Sequence, residues 1–280
     1  MKNILVIGAG TMGSGIAQVA AQAGYHVFLN DVNDAYVQKG IAKIEKNLSK
    51  LVSKGRLEEA GKNAVLSKIT PLTEIAEARN VELVIEAVIE NMELKKELLK
   101  KIAGILSPET IFASNTSALS ITELAAEWPN PERFIGMHFF NPVPVMKLVE
   151  IIKGAQTSDE TFGKAREFVE KIGKTGVAAT EAPGFIVNRM LVPLINEGVF
   201  ILAEGTASPE DIDTAMKLGA NHPIGPLALA DMIGLDVCLA VMETLYEEFA
   251  DSKYRPCPLL RKMVKAGYLG CKTGRGFFSY

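Results

Sequence analysis

The sequence has few cysteines, little net charge and no long apolar run, and each shortage excludes a class of protein. Cys238, Cys257 and Cys271 are the three cysteines, an odd number with no C-x-x-C pair. A disulfide framework or a zinc knuckle is therefore not expected, no metal motif is present, and a reducing cytoplasm fits best. Lys and Arg number 30 against 33 Asp and Glu, a net charge of −3, without the basic excess of a nucleic-acid binder. The first apolar run, residues 4–7, stops at Gly8 and lacks a cleavage-site pattern, so it is too short for a signal-peptide core. The most apolar helical stretch, residues 191–202, is interrupted by Asn196 and Glu197. No segment reaches the ~18 apolar residues that a membrane span needs.

What is present is a chain of 280 residues, 48% hydrophobic, enough for one large domain or two ordinary ones. Short apolar runs at residues 4–7, 26–29, 83–85, 111–113, 134–137 and 148–152 read as strands. Helical patterns, such as 12–23 and 92–105, lie between several of them. Such alternation predicts parallel strands joined by crossover helices. After Pro183 and Gly184 the strand signals vanish and helical patterns take over. The expected fold is α/β, with a Rossmann-like dinucleotide-binding domain over residues 1–183 and an all-helical domain over 184–280. One late helix should start at Ser208, with Pro209 at its first position and Asp211 at the positive end of its dipole. Pro193 should kink a helix or lie in its first turn.

Gly8, Gly10 and Gly13, with Thr11 and Met12 among them, match G-x-G-x-x-G directly after a predicted strand and at the opening of a helix. There Gly8 permits the tight turn, Gly10 admits a pyrophosphate and Gly13 allows helix and strand to pack closely. Asp31 follows the second strand, where a carboxylate accepts from a ribose 2′-OH and repels a 2′-phosphate. NAD is favoured over NADP, which stays open, as does a plain turn-capping role for Asp31.

Oxidising a hydroxyl to a carbonyl needs a base, and histidine titrates near neutrality. Three histidines exist. His26, in the second strand, reads as structural and is expected near the adenine side of the cofactor. His222, in a turn before Pro223, is expected to bind backbone. His138 ends a strand, where open α/β sheets bind ligands, and is the best placed.

Three segments carry a resemblance: H-F-F-N-P-V-P-V-M-K-L-V-E from His138 to Glu150, A-S-N-T-S from Ala113 to Ser117, and P-G-F-I-V-N-R from Pro183 to Arg189. Together with the glycines, and in this order, they resemble the L-3-hydroxyacyl-CoA dehydrogenases. Within that family they are most similar to short bacterial members acting on 3-hydroxybutyryl-CoA. The resemblance implies reversible hydride transfer between a nicotinamide cofactor and acetoacetyl-CoA or 3-hydroxybutyryl-CoA, in fatty acid and butanoate metabolism. It implies that His138 is the base, paired with Glu150, that Ser117 binds the substrate oxygen, and that Asn188 binds near the thioester. Asn115, Asn141, Glu90 and Lys95 would line the cofactor. Blander readings remain: a turn hydroxyl for Ser117, a helix cap for Asn188, and a solvated helix face for Glu90 or Lys95.

Residues 40–56 read as a helix whose Lys43, Lys46, Lys50 and Lys54 share one face, with Ile44, Leu48 and Leu51 towards the other. Such a stripe is usually just solvated. Because CoA carries phosphates, and this region lies over the substrate in relatives, Lys50 and Lys54 are expected to contact it. Ala228 stands where relatives often have Glu. Apolar stretches in the helical part, and the resemblance, imply a homodimer or higher homo-oligomer. A lysine-base dehydrogenase of free hydroxyacids and a crystallin-like structural protein are the alternatives.

Overall fold

The apolar runs of the first 181 residues assemble one sheet of eight strands, and the chain beyond them is helical. The structure is a computed structural model describing residues 1–280. Its contacts divide the chain into two units, residues 1–181 and 182–280.

In the first unit β1 (Asn3–Ile7), α1 (Thr11–Gln22), β2 (His26–Asn30), α2 (Asp34–Ser53), α3 (Glu59–Leu66) and β3 (Ile69–Leu72) form one half. There follow β4 (Leu83–Glu86), α4 (Met92–Ile102), β5 (Ile111–Ser114), α5 (Ile121–Ala125), β6 (Phe134–Phe139), β7 (Leu148–Lys153), α6 (Asp159–Lys171) and β8 (Thr175–Thr180). The strand order is β3-β2-β1-β4-β5-β6-β7-β8. Every pairing is parallel except β6 with β7. The order reverses between β1 and β4, which makes their carboxyl ends the expected ligand crevice.

Two strands differ from the sequence reading, which had not found β3 or β8. Both lie at sheet edges. β3 contains Pro71, tolerated at an edge because no ladder bond is lost there, and β8 is largely exposed, with only small side chains around Val177. The helix read at residues 40–56 starts earlier, at Asp34, because the Asn33 side chain accepts from the Tyr36 N–H at 3.0 Å. It stops at Ser53, so Lys54 is its C-cap.

Ile44 and Leu48 are fully buried beneath α2, joining Ile16, Ala17 and Ala20 of α1 over Ile4, Val6, Val27 and Leu29 of the sheet. Burying each Ile or Leu side chain is worth about 1.5–3 kcal/mol, which fixes α2 to the glycine-loop side of the sheet.

The second unit consists of α7 (Val187–Ala203), α8 (Pro209–Gly219), α9 (Pro226–Ile233), α10 (Leu235–Phe249) and α11 (Pro258–Lys265), with short 3₁₀ turns. Its core includes Ile195, Val199, Leu227, Leu235, Met242 and Leu260. Ser208 caps α8 as its sequence requires, accepting from the Asp211 N–H at 3.2 Å. Pro193 lies well inside α7 rather than in its first turn. Asp213 caps α9 by accepting from the backbone of Leu227 and Ala228, so Ala228 contributes its N–H here. No helix is long and apolar enough to cross a membrane.

Candidate active site

At the switch point Gly8 has φ +98°, and a Cβ there would lie 2.6 Å from the carbonyl oxygen of Ala87. The loops after β1 and β4 thus meet backbone to backbone. A Cβ on Gly13 would fall 1.7 Å from the Gly8 oxygen, so only glycine lets α1 start this close to β1. Gly10 is different: a Cβ there would meet nothing within 4 Å. It is the N-cap of α1 and no side chain caps that helix, so the N–H groups of Thr11, Met12 and Gly13 lie at a first turn without a side-chain acceptor. Open space over Gly10 and uncapped donors fit a pyrophosphate.

Asp31 binds this loop directly. One carboxylate oxygen accepts from the Ala9 N–H and the other from the Val32 N–H, each at 2.7 Å. A carboxylate has about four acceptor positions, so ribose hydroxyls can still be received there. Gly40 of α2 packs on Ala9, where a Cβ would lie 2.7 Å from the Ala9 oxygen. One turn later Lys43 donates to the Thr11 hydroxyl at 2.9 Å, which brings a positive charge to the start of α1.

Between β4 and β5 lies a charged cluster. Lys95 is 1% exposed and donates to Glu86 at 2.6 Å, with Glu90 at 3.4 Å. The solvated-face reading of Lys95 is thereby overturned: α4 turns this residue inward, where two carboxylates neutralise it. Glu90 accepts from the Thr116 hydroxyl and from the N–H and hydroxyl of Ser117, at 2.7, 2.6 and 3.0 Å. Burial alone would raise the Glu90 carboxyl, but Lys95, Thr116 and Ser117 outweigh it and hold it below the usual carboxylate range. Asn115 accepts from the Phe139 N–H at 2.9 Å, tying the end of β5 to the end of β6 beside His138.

His138 and Glu150 are register partners on the one antiparallel pair, and His138 Nδ1 lies 2.7 Å from the Glu150 carboxylate. The segment joining β6 to β7 contains no helix and is too short for a parallel crossover, so the chain turns back and sets the two residues side by side. Glu150 is fully buried and His138 only 6% exposed. Ile135, Met137 and Phe139 fill the core on one face of β6, so by strand alternation His138 stands on the other. A buried carboxylate at Nδ1 makes that nitrogen the donor and leaves Nε2 as the basic one. The loop beyond, with Asn141 exposed on it, packs Val143 onto Gly15 of α1, and Lys174 donates to the carbonyls of Val143 and Met146.

Two family models match the chain: the NAD-binding domain of 3-hydroxyacyl-CoA dehydrogenase over residues 3–182 and the C-terminal domain of the same enzymes over 184–280. The chain belongs to the 3-hydroxyacyl-CoA dehydrogenase family. It is 53% identical to a probable 3-hydroxybutyryl-CoA dehydrogenase of Bacillus subtilis, over 100% of this chain and 98% of that one. It is 45% identical to the human mitochondrial hydroxyacyl-coenzyme A dehydrogenase, over 100% of this chain and 91% of the other. Among solved structures, the (S)-3-hydroxybutyryl-CoA dehydrogenase of Ralstonia eutropha matches with a TM-score of 0.98 and 54% identity, covering 100% and 99% of the two chains.

Within this dehydrogenase the remaining sequence-derived residues lie as follows. Lys50 and Lys54 are exposed at the end of α2. Asn188 is the second residue of α7, after a turn in which Gly184 and Phe185 have φ of +72° and +50°. His26 begins β2 at the end opposite Asp31, so it is not on the adenine side; it bonds Thr70 and stacks edge-on against Phe28. His222 follows Asn221, whose φ is +56°, and its own N–H bonds the Met216 carbonyl. Sequence reasoning had not singled out Glu86 or Lys174, and had not placed Lys43 at the glycine loop. For Glu86 the available signal was an acid closing an otherwise apolar strand, L-V-I-E.

Proposed function

We propose that the chain catalyses reversible oxidation of (S)-3-hydroxybutyryl-CoA to acetoacetyl-CoA. The observation that carries this reading is the buried His138–Glu150 pair at 2.7 Å on the strand end next to the cofactor-binding loops. NAD, when bound, supplies the hydride acceptor or donor. In oxidation His138 Nε2 takes the proton of the substrate hydroxyl, and in reduction it returns it to the carbonyl oxygen. Glu150 keeps the ring in the tautomer that can do this and stabilises the imidazolium once formed. Ser117 holds the same substrate oxygen, and Asn188 binds at the thioester, where an amide N–H counters charge on oxygen. Gly8 to Gly13 and Asp31 hold the adenosine and pyrophosphate side of the cofactor. Asn115, Asn141, Glu90 and Lys95 line the other side. We take residues 1–183 as the cofactor domain and 184–280 as the substrate-binding and dimerisation domain. Met190, Leu218 and Met232, between 64% and 82% exposed, support a homodimer or higher homo-oligomer through the helical part. Unbridged Cys238, Cys257 and Cys271 support a cytoplasmic location.

The test is an assay of acetoacetyl-CoA with NADH and with NADPH. Turnover with NADH, at a higher kcat/KM than with NADPH, is expected, because Asp31 faces a 2′-phosphate with like charge. No turnover sinks the proposed function, and a preference for NADPH sinks the role of Asp31.

Lys50 and Lys54 are expected to hold phosphates of CoA. Contacts equal in ground and transition states change KM and not kcat. The double change Lys50→Ala, Lys54→Ala therefore raises KM for acetoacetyl-CoA, less so in added salt, and leaves kcat nearly unchanged. An N-acetylcysteamine thioester, which lacks the phosphates, serves both proteins equally poorly. Equal harm to both substrates would make the stripe structural.

A further inference from the structure

Strand pairing sets Glu86, the last residue of β4, opposite Ser114 of β5, three residues before Ser117. The side chain is 2% exposed and fully engaged. One oxygen accepts from Lys95 at 2.6 Å and from the Val88 N–H at 2.7 Å, and the other from the Ser114 hydroxyl at 2.6 Å. Lys95 therefore sits between two carboxylates and closer to Glu86 than to Glu90. The Glu90 oxygen turned away from Lys95 is the one that gathers Thr116, Ser117 and Ala118.

An ammonium this deeply buried must be neutralised by a neighbour. Were Glu90 the only carboxylate available, Lys95 would close on it. The carboxylate would then be drawn off the turn at residues 116–118, and the backbone that carries Ser117 would lose the Glu90 oxygen that its N–H groups share.

We propose that Glu86 is a positioning residue for the dehydrogenase reaction: it keeps Lys95 on itself and so leaves Glu90 to hold Ser117 in place. The proposal rests on the reading of Ser117 as the hydroxyl that meets the substrate oxygen. Glu86 itself touches neither substrate nor cofactor in this scheme, and its effect passes through Lys95 and Glu90.

A double-mutant cycle tests it. Glu86→Gln keeps the shape, and its carbonyl oxygen can still accept hydrogen bonds, but it no longer neutralises Lys95. With acetoacetyl-CoA and NADH, kcat should fall about tenfold or more, the order expected when a reacting geometry is loosened. Placed in a Ser117→Ala background, the same change should cost less than about twofold, because its target is already gone. A merely structural glutamate would cost the same factor in both backgrounds, and that result, or an unchanged kcat in Glu86→Gln alone, overturns the proposal. If Glu86→Gln does not fold, Ser114→Ala frees one Glu86 oxygen more gently and is put through the same cycle. A smaller loss that again vanishes beside Ser117→Ala supports the proposal, and an equal loss in both backgrounds overturns it. A wild-type chain inactive on acetoacetyl-CoA would overturn the proposed function and this proposal with it, whereas an active wild type without the coupling overturns this proposal alone.

Discussion

Changing His138 to Gln lowers kcat with acetoacetyl-CoA by about 10²–10⁴-fold, the range for loss of a general acid or base, while NADH binds as before. The expectation follows from the geometry on β6 and β7. Glutamine can still donate to the Glu150 carboxylate, now 2.7 Å from Nδ1, so the buried acceptor is not stranded. What it lacks is a nitrogen able to take a proton at neutral pH. The residues proposed to hold the cofactor, Gly8 to Gly13 and Asp31, follow other strands, β1 and β2, and keep their own bonds, among them Ala9 N–H to Asp31 at 2.7 Å. Steady-state kinetics and a fluorescence titration with NADH separate the two effects. A variant that keeps wild-type kcat would show that another group carries the proton, and a variant that no longer binds NADH would show that His138 does more than proton chemistry.

Gly13→Ala is expected to harm both folding and cofactor affinity, whereas Gly10→Ala harms affinity alone. The Gly13 Cβ would lie 1.7 Å from the Gly8 oxygen, a backbone atom with nowhere to go. Either α1 retreats from β1 or the loop after β1 opens. Overpacking of this kind costs about 1–3 kcal/mol, and both movements displace the N–H groups proposed to receive a pyrophosphate. At Gly10 the protein offers a Cβ free space, so the apo protein keeps its stability, and only a ligand lying on the loop collides with the added methyl. Thermal unfolding without cofactor, followed by NADH titration, distinguishes them. A Gly13→Ala protein melting like the wild type would contradict the packing argument. A Gly10→Ala protein binding NADH like the wild type would remove the pyrophosphate from that loop.

Much of the site is written in local sequence, because its pieces are local devices. The glycine loop reads from six residues, and the end of each central strand reads from a run of buried side chains. The two edge strands escaped for a physical reason: an edge needs neither a full ladder nor two buried faces, so Pro71 and the small residues around Val177 leave no periodic signal. The start of α2 escaped because its cap, Asn33, lies well ahead of the lysine face.

By itself, then, the sequence determined the alternation of strands and helices, the glycine loop, the acid after β2 and the change to helices after Gly184, since each depends on residues adjacent in the chain. Only tertiary structure decided that β7 runs against β6, that Glu150 stands opposite His138, and that Lys43 reaches Thr11. It also decided that Lys95 turns away from solvent to lie between Glu86 and Glu90. The reason is common to all of these: strand direction, register and burial are set by how segments pack together, so that even for neighbours as close as Glu86, Glu90 and Lys95 the local sequence does not say which side chain turns inward.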